Sequence, residues 1–149
     1  MKPARLPIVA ALVALAAGPA VAGPANAPAT ITLDVAGLHS ARGQLIVCLW
    51  RDKAGFPNCE KSKTARRVVV PVTATAMQVA LPLPAAGDHA VTVVHDEDGN
   101  GKMKRNFIGM PTEGVGISNN PGGMPGYAKS LAHLTPGGAI TIRMRYLFD

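Results

Sequence analysis

The chain has 149 residues, with 15 Lys and Arg against 9 Asp and Glu and a formal net charge of +6 at pH 7. That length suits a single domain able to bury a real core, and aromatic residues at only 4% leave few stacking platforms for nucleic acid. The basic residues gather at Arg51, Lys53, Lys61, Lys63, Arg66 and Arg67 and again at Lys102, Lys104 and Arg105, a pattern that fits either a solvated face or contact with anionic lipid or polysaccharide.

The first element in chain order is a leader. Lys2 and Arg5 precede an apolar run over residues 8–17, and Ala20-Val21-Ala22 forms a small-residue cleavage site, so residues 1–22 read as a secretory signal peptide. The run is short for a membrane span and ends at Gly18-Pro19, so cleavage rather than anchoring is expected, with no transmembrane segment afterwards. No cysteine follows the cleavage site to carry a lipid. The expected product is periplasmic or secreted, with an extended leader at 23–29 and one domain over 30–149. Export into an oxidising compartment predicts that Cys48 and Cys59 form a disulfide; a redox or metal-binding pair is the alternative, though the spacing is not C-x-x-C.

Strands are predicted next. In "TITLDVAG" Ile31, Leu33 and Val35 alternate with polar residues, the period of a half-buried strand. "QLIVCLWR" is apolar on both faces and reads as a central strand. "RRVVVPV" and "AMQVALPL", joined by residues 73–75, form a hairpin candidate, with Pro71 favouring an edge position. "HAVTVVH" places Val91, Val93 and His95 on one face, and "AITIRMRY" alternates Ile140, Ile142, Met144 and Tyr146 inward. The stretch 107–138 is rich in Gly and Pro and too long for an ordinary turn; "AKSLAHL" within it suggests a short strand or helical turn, and 107–127 an ordered surface loop. These elements predict an all-β antiparallel sandwich of immunoglobulin-like or transthyretin-like type.

The chemistry-bearing stretch is "HDEDGNGK", residues 95–102. Calcium takes six to eight oxygens, and a loop supplies them when oxygen-bearing residues recur at every second position around a glycine. Asp96, Asp98 and Asn100 have that spacing, Gly101 takes the turn position, and the carbonyl of Lys102 follows. The pattern then stops, because Phe107 stands where a closing glutamate would be and Lys104 where a water-holding residue would be. Glu113 is the candidate for the missing carboxylate. The same residues also read as a plain Asx-turn at the top of a sheet. His95 is either a ligand, a general base or a residue hydrogen-bonded at the core edge. The chain shows no nucleophile elbow, H-E-x-x-H or phosphate loop.

Taken in order, "VAGLHSARGQLIVCLW", the following "GFP", "VVHDEDGNGK", "NFIGMPTEGVGISNN" and "ITIRMRY" resemble the bacterial exported domain-of-unknown-function family 2141. The resemblance covers almost the whole chain after the leader, and its most specific part is the acidic turn linked to the "NFIGMPTEGVGISNN" loop. It implies an envelope location and a sandwich fold, and it implies no particular reaction. The family pattern falls on His95, Asp96, Asp98, Gly99, Asn100, Gly101, Asn106, Phe107, Gly109, Glu113, Gly114, Ser118 and Asn119. Members often carry an acid where this chain has Lys104, whose positive charge opposes a bound cation.

Two classes of function follow. The first is a non-catalytic envelope module that binds an envelope protein or glycan through residues 95–102 and 107–127, with His95, Asn106, Phe107, Gly109, Glu113, Ser118, Asn119 and Asn120 as the candidate surface and calcium as a candidate ordering ion. The second is a transthyretin-like hydrolase using His95 with Asp96 or Asp98. Against the hydrolase, hydroxyisourate hydrolases of that fold end in Tyr-Arg-Gly-Ser, whereas this chain ends "RMRYLFD". A small-ligand or carbohydrate-binding domain built on Trp50 and Tyr127 is a further alternative.

Overall fold

The structure, a computed structural model, describes residues 28–148; the expected signal peptide and most of the expected leader lie outside the described residues. Eight strands form two sheets, the all-β sandwich expected. In the first sheet β1 (Thr30–Ala36) lies between β4 (Ala76–Pro82) and β8 (Ala139–Arg143). The second has the order β3 (Arg66–Pro71), β2 (Gln44–Trp50), β5 (Gly87–Asp96), β6 (Gly114–Ile117), and β7 (Ala132–Leu134) also pairs with the start of β5. Strands pair antiparallel except β1 with β8, which run parallel.

The period of two explains the layers. Ile31, Leu33 and Val35 of β1, Val79 and Leu81 of β4 and Ile142 of β8 face Leu45, Val47, Leu49, Val91 and Val93 of the second sheet across one continuous core. The doubly apolar reading of β2 is correct, since it lies between β3 and β5 and is buried from Leu45 to Trp50. Its outer residues Ile46, Cys48 and Trp50, together with Ala90 and Val94, are roofed by Phe56, Cys59, Ala65, Met103 and Tyr127. The disulfide between Cys48 and Cys59 pins that roof to the strand it covers. Trp50 donates its indole N–H to Thr92 Oγ1 at 2.9 Å, so the largest buried ring leaves no orphan polar atom.

Two expectations change. β3 and β4 are not a hairpin: β3 pairs with β2 and β4 with β1, so residues 72–75 carry the chain from one sheet to the other. Val68, Val70 and Val72 and the opposing Met77, Val79 and Leu81 meet one core from opposite layers, whereas a hairpin would lay them side by side on one layer. Pro71 does end an edge strand. The long connection holds β6, a one-turn helix α1 (Tyr127–Ser130) and β7. β6 escapes the alternation rule because its inward positions are glycines. A Cβ at Gly114 would lie 2.4 Å from the Tyr146 ring, and one at Gly116 would lie 2.5 Å from Ile142 Cγ2. No helix among the described residues is long and apolar enough to cross a membrane.

Candidate functional site

β5 ends at Asp96, opposite Gln44 in the register with β2. The Asp96 carboxylate is fully buried and organises the turn after it. Its Oδ1 accepts the Asn100 amide at 3.1 Å, and its Oδ2 accepts the Gly101 amide and the Gln44 side-chain amide, both at 2.7 Å. Asp98 Oδ1 accepts the Asn100 amide at 3.2 Å, and Asn100 Oδ1 accepts the Lys102 amide at 2.8 Å. Gly99 and Gly101 take left-handed φ values of 69° and 80°, so the glycines serve the turn. Gly43 packs directly beneath, where a Cβ would stand 2.2 Å from the Asp96 carbonyl oxygen. The Asx-turn reading is therefore physically realised, and Asp96 is its centre.

A second feature uses the same residues. The chain leaves the turn, makes a small hairpin over 104–113 and returns Glu113 to the buried side of the loop. Thr112 donates its amide to the Lys104 carbonyl at 3.0 Å, and Glu113 Oε2 accepts the Lys104 amide at 2.9 Å, which closes the hairpin base. Asp96, Asp98 and Glu113 each place a carboxylate oxygen within 4.8 Å of the other two. The carboxylate expected from Glu113 is thus in reach of both turn acids.

The electrostatics follow from this convergence. Burial pushes the Glu113 carboxyl above its ordinary value; the Lys104 amide pulls it partly back, and the nearby Asp96 and Asp98 charges push it up again. The Lys104 ammonium sits 2.8 Å from Asp98 Oδ2 and holds that carboxyl below the usual range, while Asp98 raises Lys104 in return. Lys104 thus supplies an internal countercharge at the place where a bound cation would sit. Three carboxylates fit a hard cation of the calcium type, with carbonyls and water filling the remaining positions. Asp96 Oδ2 accepts two hydrogen bonds and Oδ1 one, from the Asn100 amide, so Oδ1 is its less committed oxygen. Asn100 faces the Lys102 amide, and Lys102 enters the set only through its carbonyl.

His95 occupies a different place. It is fully buried, and its Nε2 donates to the Arg42 carbonyl at 2.9 Å. Because that carbonyl only accepts, the neutral imidazole carries its proton on Nε2, and Nδ1 then accepts from the Tyr146 hydroxyl at 2.6 Å. The hydroxyl in turn accepts the His39 amide at 3.0 Å. Burial raises Tyr146 above its ordinary value, which keeps it a donor. Both imidazole nitrogens are therefore used inside the fold, and as consecutive strand residues His95 and Asp96 project to opposite faces of β5. A general base needs a nitrogen that substrate can reach, and His95 offers none.

The other candidate surface residues divide in two. Ser118 accepts the Val91 amide and donates to the Ser130 carbonyl. Asn119 donates to the Leu131 carbonyl, while Asn120 bonds the Thr141 carbonyl and the Arg143 amide, and both take left-handed φ. These three fasten the long loop to its neighbours. Asn106, Phe107 and Gly109 belong to the hairpin, whose tip is exposed. Trp50 is fully buried and so presents no face to a sugar, and Tyr127 is half-buried in a T-shaped contact with Phe56. A cavity of about 100 Å3 lined by Leu49, Arg51, Thr64, Arg66 and Pro84 is well below the size that encloses a small ligand. Gln44, Gly43 and Tyr146 were not singled out for the site from sequence. Their link to it depends on the β2–β5 register and the close approach of the chain end, neither of which is visible in a linear motif.

No curated protein and no solved structure gives a significant match to the chain. A family model described as an uncharacterized protein conserved in bacteria (DUF2141) matches residues 33–141, from β1 into β8 and across the whole acidic corner. With most of its length matched, this chain belongs to the DUF2141 family.

Proposed function

We propose that the protein is an exported, non-catalytic β-sandwich module of the bacterial cell envelope, whose acidic turn 95–102 and following loop 107–127 form one partner-binding surface ordered by calcium. The observation that carries this reading is the convergence of Asp96, Asp98 and Glu113 within 4.8 Å at the base of a hairpin whose tip is exposed. Export is supported by the signal-like leader and by the Cys48–Cys59 disulfide, which suits an oxidising compartment. A non-catalytic role is supported by the enclosed His95.

In this reading Lys104 neutralises the corner when no ion is bound and calcium displaces it from Asp98. Such competition places the affinity in the weak, roughly 10⁻⁴–10⁻³ M range of extracellular calcium modules. The test is the thermal midpoint of oxidised protein in calcium, in magnesium and in chelator. A ligand that prefers the native state raises the midpoint by mass action. A calcium-specific rise that Glu113→Gln abolishes supports the site; identical midpoints in millimolar calcium and chelator reduce the corner to a turn.

A further inference from the structure

We infer that the 104–113 hairpin is a membrane-docking tip, with Phe107 and Ile108 entering the headgroup region of an anionic phospholipid bilayer and the basic segments beside it contacting lipid phosphates. The inference rests on the proposed binding surface and names its partner class.

Phe107 is 100% exposed and Ile108 67%, and Met110 is exposed beside them. This exposure is built into the turn. Asn106 Oδ1 accepts the Ile108 and Met110 amides at 3.1 and 3.0 Å, the Asn106 amide reaches the Met110 carbonyl at 2.9 Å, and Arg105 Nη1 holds the Gly109 carbonyl at 2.9 Å. Arg105 and Pro111 bridge as a strand pair behind the tip, and Gly109 supplies the left-handed φ of 83°. A turn this fully bonded holds two large apolar side chains in water when it could have carried polar ones.

The surroundings are cationic. Segments 61–67 and 102–105 contain seven Lys and Arg and no acid. The two segments are neighbours, since Arg67 Nη2 donates to the Gly101 carbonyl at 2.7 Å and the Met103 amide donates to Glu60 at 3.2 Å. Of the nearby acids, Glu60 accepts that amide, Asp98 pairs with Lys104, and Asp96 and Glu113 lie buried at the hairpin base, so the exposed charge beside the tip comes from the six other basic side chains. A specific protein interface buries about 1,000 Å2 or more, which two projecting side chains do not provide. Insertion to roughly 5–10 Å with flanking basic residues near anionic headgroups is the geometry of an interfacial membrane anchor.

The experiment is co-sedimentation of the oxidised protein with vesicles of mixed phosphatidylglycerol and phosphatidylcholine, and with phosphatidylcholine alone, with the calcium melting shift read on the same preparations. Binding to the anionic vesicles only, weakened by salt, is expected. Phe107→Ser with Ile108→Ser is expected to lower the partition coefficient at least tenfold while the melting midpoint holds, and Lys61→Gln with Lys63→Gln and Lys102→Gln to lower it severalfold. If wild-type protein stays in the supernatant, or the Phe107/Ile108 variant binds as well as wild type, the lipid assignment is overturned. In that case a retained calcium shift leaves the cation-ordered surface standing with a protein or glycan partner, and loss of both readouts removes the surface as well.

Discussion

Replacing Tyr146 with Phe removes the hydroxyl that partners the fully buried His95. That hydroxyl donates to His95 Nδ1 at 2.6 Å and accepts the His39 amide at 3.0 Å. His95 is fully buried, and its other nitrogen is committed to the Arg42 carbonyl, so in Tyr146→Phe its Nδ1 loses its donor. The His39 amide lies at the surface, where water replaces the lost partner at little cost. One buried acceptor left unmade costs about 1–3 kcal/mol, and about 2 kcal/mol is the central value here. For a domain of roughly this size each kcal/mol moves the midpoint about 4 °C, giving a drop of about 8 °C. Because burial raises Tyr146, its hydroxyl keeps the proton across neutral pH and the loss is flat there. Denaturant unfolding followed by the fluorescence of the single, buried Trp50 measures it. A change below about 0.5 kcal/mol, the scatter of ordinary surface substitutions, refutes the role given to the hydroxyl.

Other outcomes follow from the same contacts. Cys48→Ala with Cys59→Ala opens a ring with a sequence separation of 11, and the chain-entropy relation gives a loss of about 3 kcal/mol, checked by comparing melts of the variant and of reduced wild type. Gly116→Ala forces a Cβ to 2.5 Å from Ile142 and 2.8 Å from Met144 Sδ, so an overpacking loss of about 1–3 kcal/mol is expected in denaturant titrations. Glu113 gives a pH signature. Its folded value lies above the ordinary 4.5, so its contribution is fully present below that value and is lost as pH rises through the folded value. Metal-free Glu113→Gln is therefore expected to lack this decline and to be the more stable protein at pH 7 in chelator, with the order reversed in calcium. Parallel pH melts of the two proteins decide it.

How far the sequence carried depended on the kind of signal. Strands with clean alternation, β1 and β8, the doubly apolar β2, and the shared face of Val91, Val93 and His95 in β5 were legible because each residue's neighbours are set by the period of two. β6 was not, because Gly114 and Gly116 stand where alternation needs apolar side chains, and the side chains that fill the space come from residues 142–146. The jump of residues 72–75 between sheets was also hidden, since a turn sequence does not say which layer receives the next strand. At the site, the spacing of Asp96 and Asp98 and the return of Glu113 were readable as candidates. Lys104 was readable only as a charge opposed to a cation; its placement on Asp98 makes it a countercharge. For His95, sequence left ligand, base and core-edge roles open, and the Tyr146 hydroxyl and the Arg42 carbonyl, 51 and 53 residues away, decide for the last.

The most direct measurement is a calorimetric calcium titration of wild-type protein beside Lys104→Gln. If Asp96, Asp98 and Glu113 form a cation site that Lys104 occupies by proxy, wild type binds calcium weakly and removing the ammonium tightens binding about tenfold, about 1.4 kcal/mol. If neither protein shows saturable calcium heat at millimolar concentration, the three carboxylates are a hydrogen-bonded turn with its own lysine, and the calcium-ordered surface is wrong.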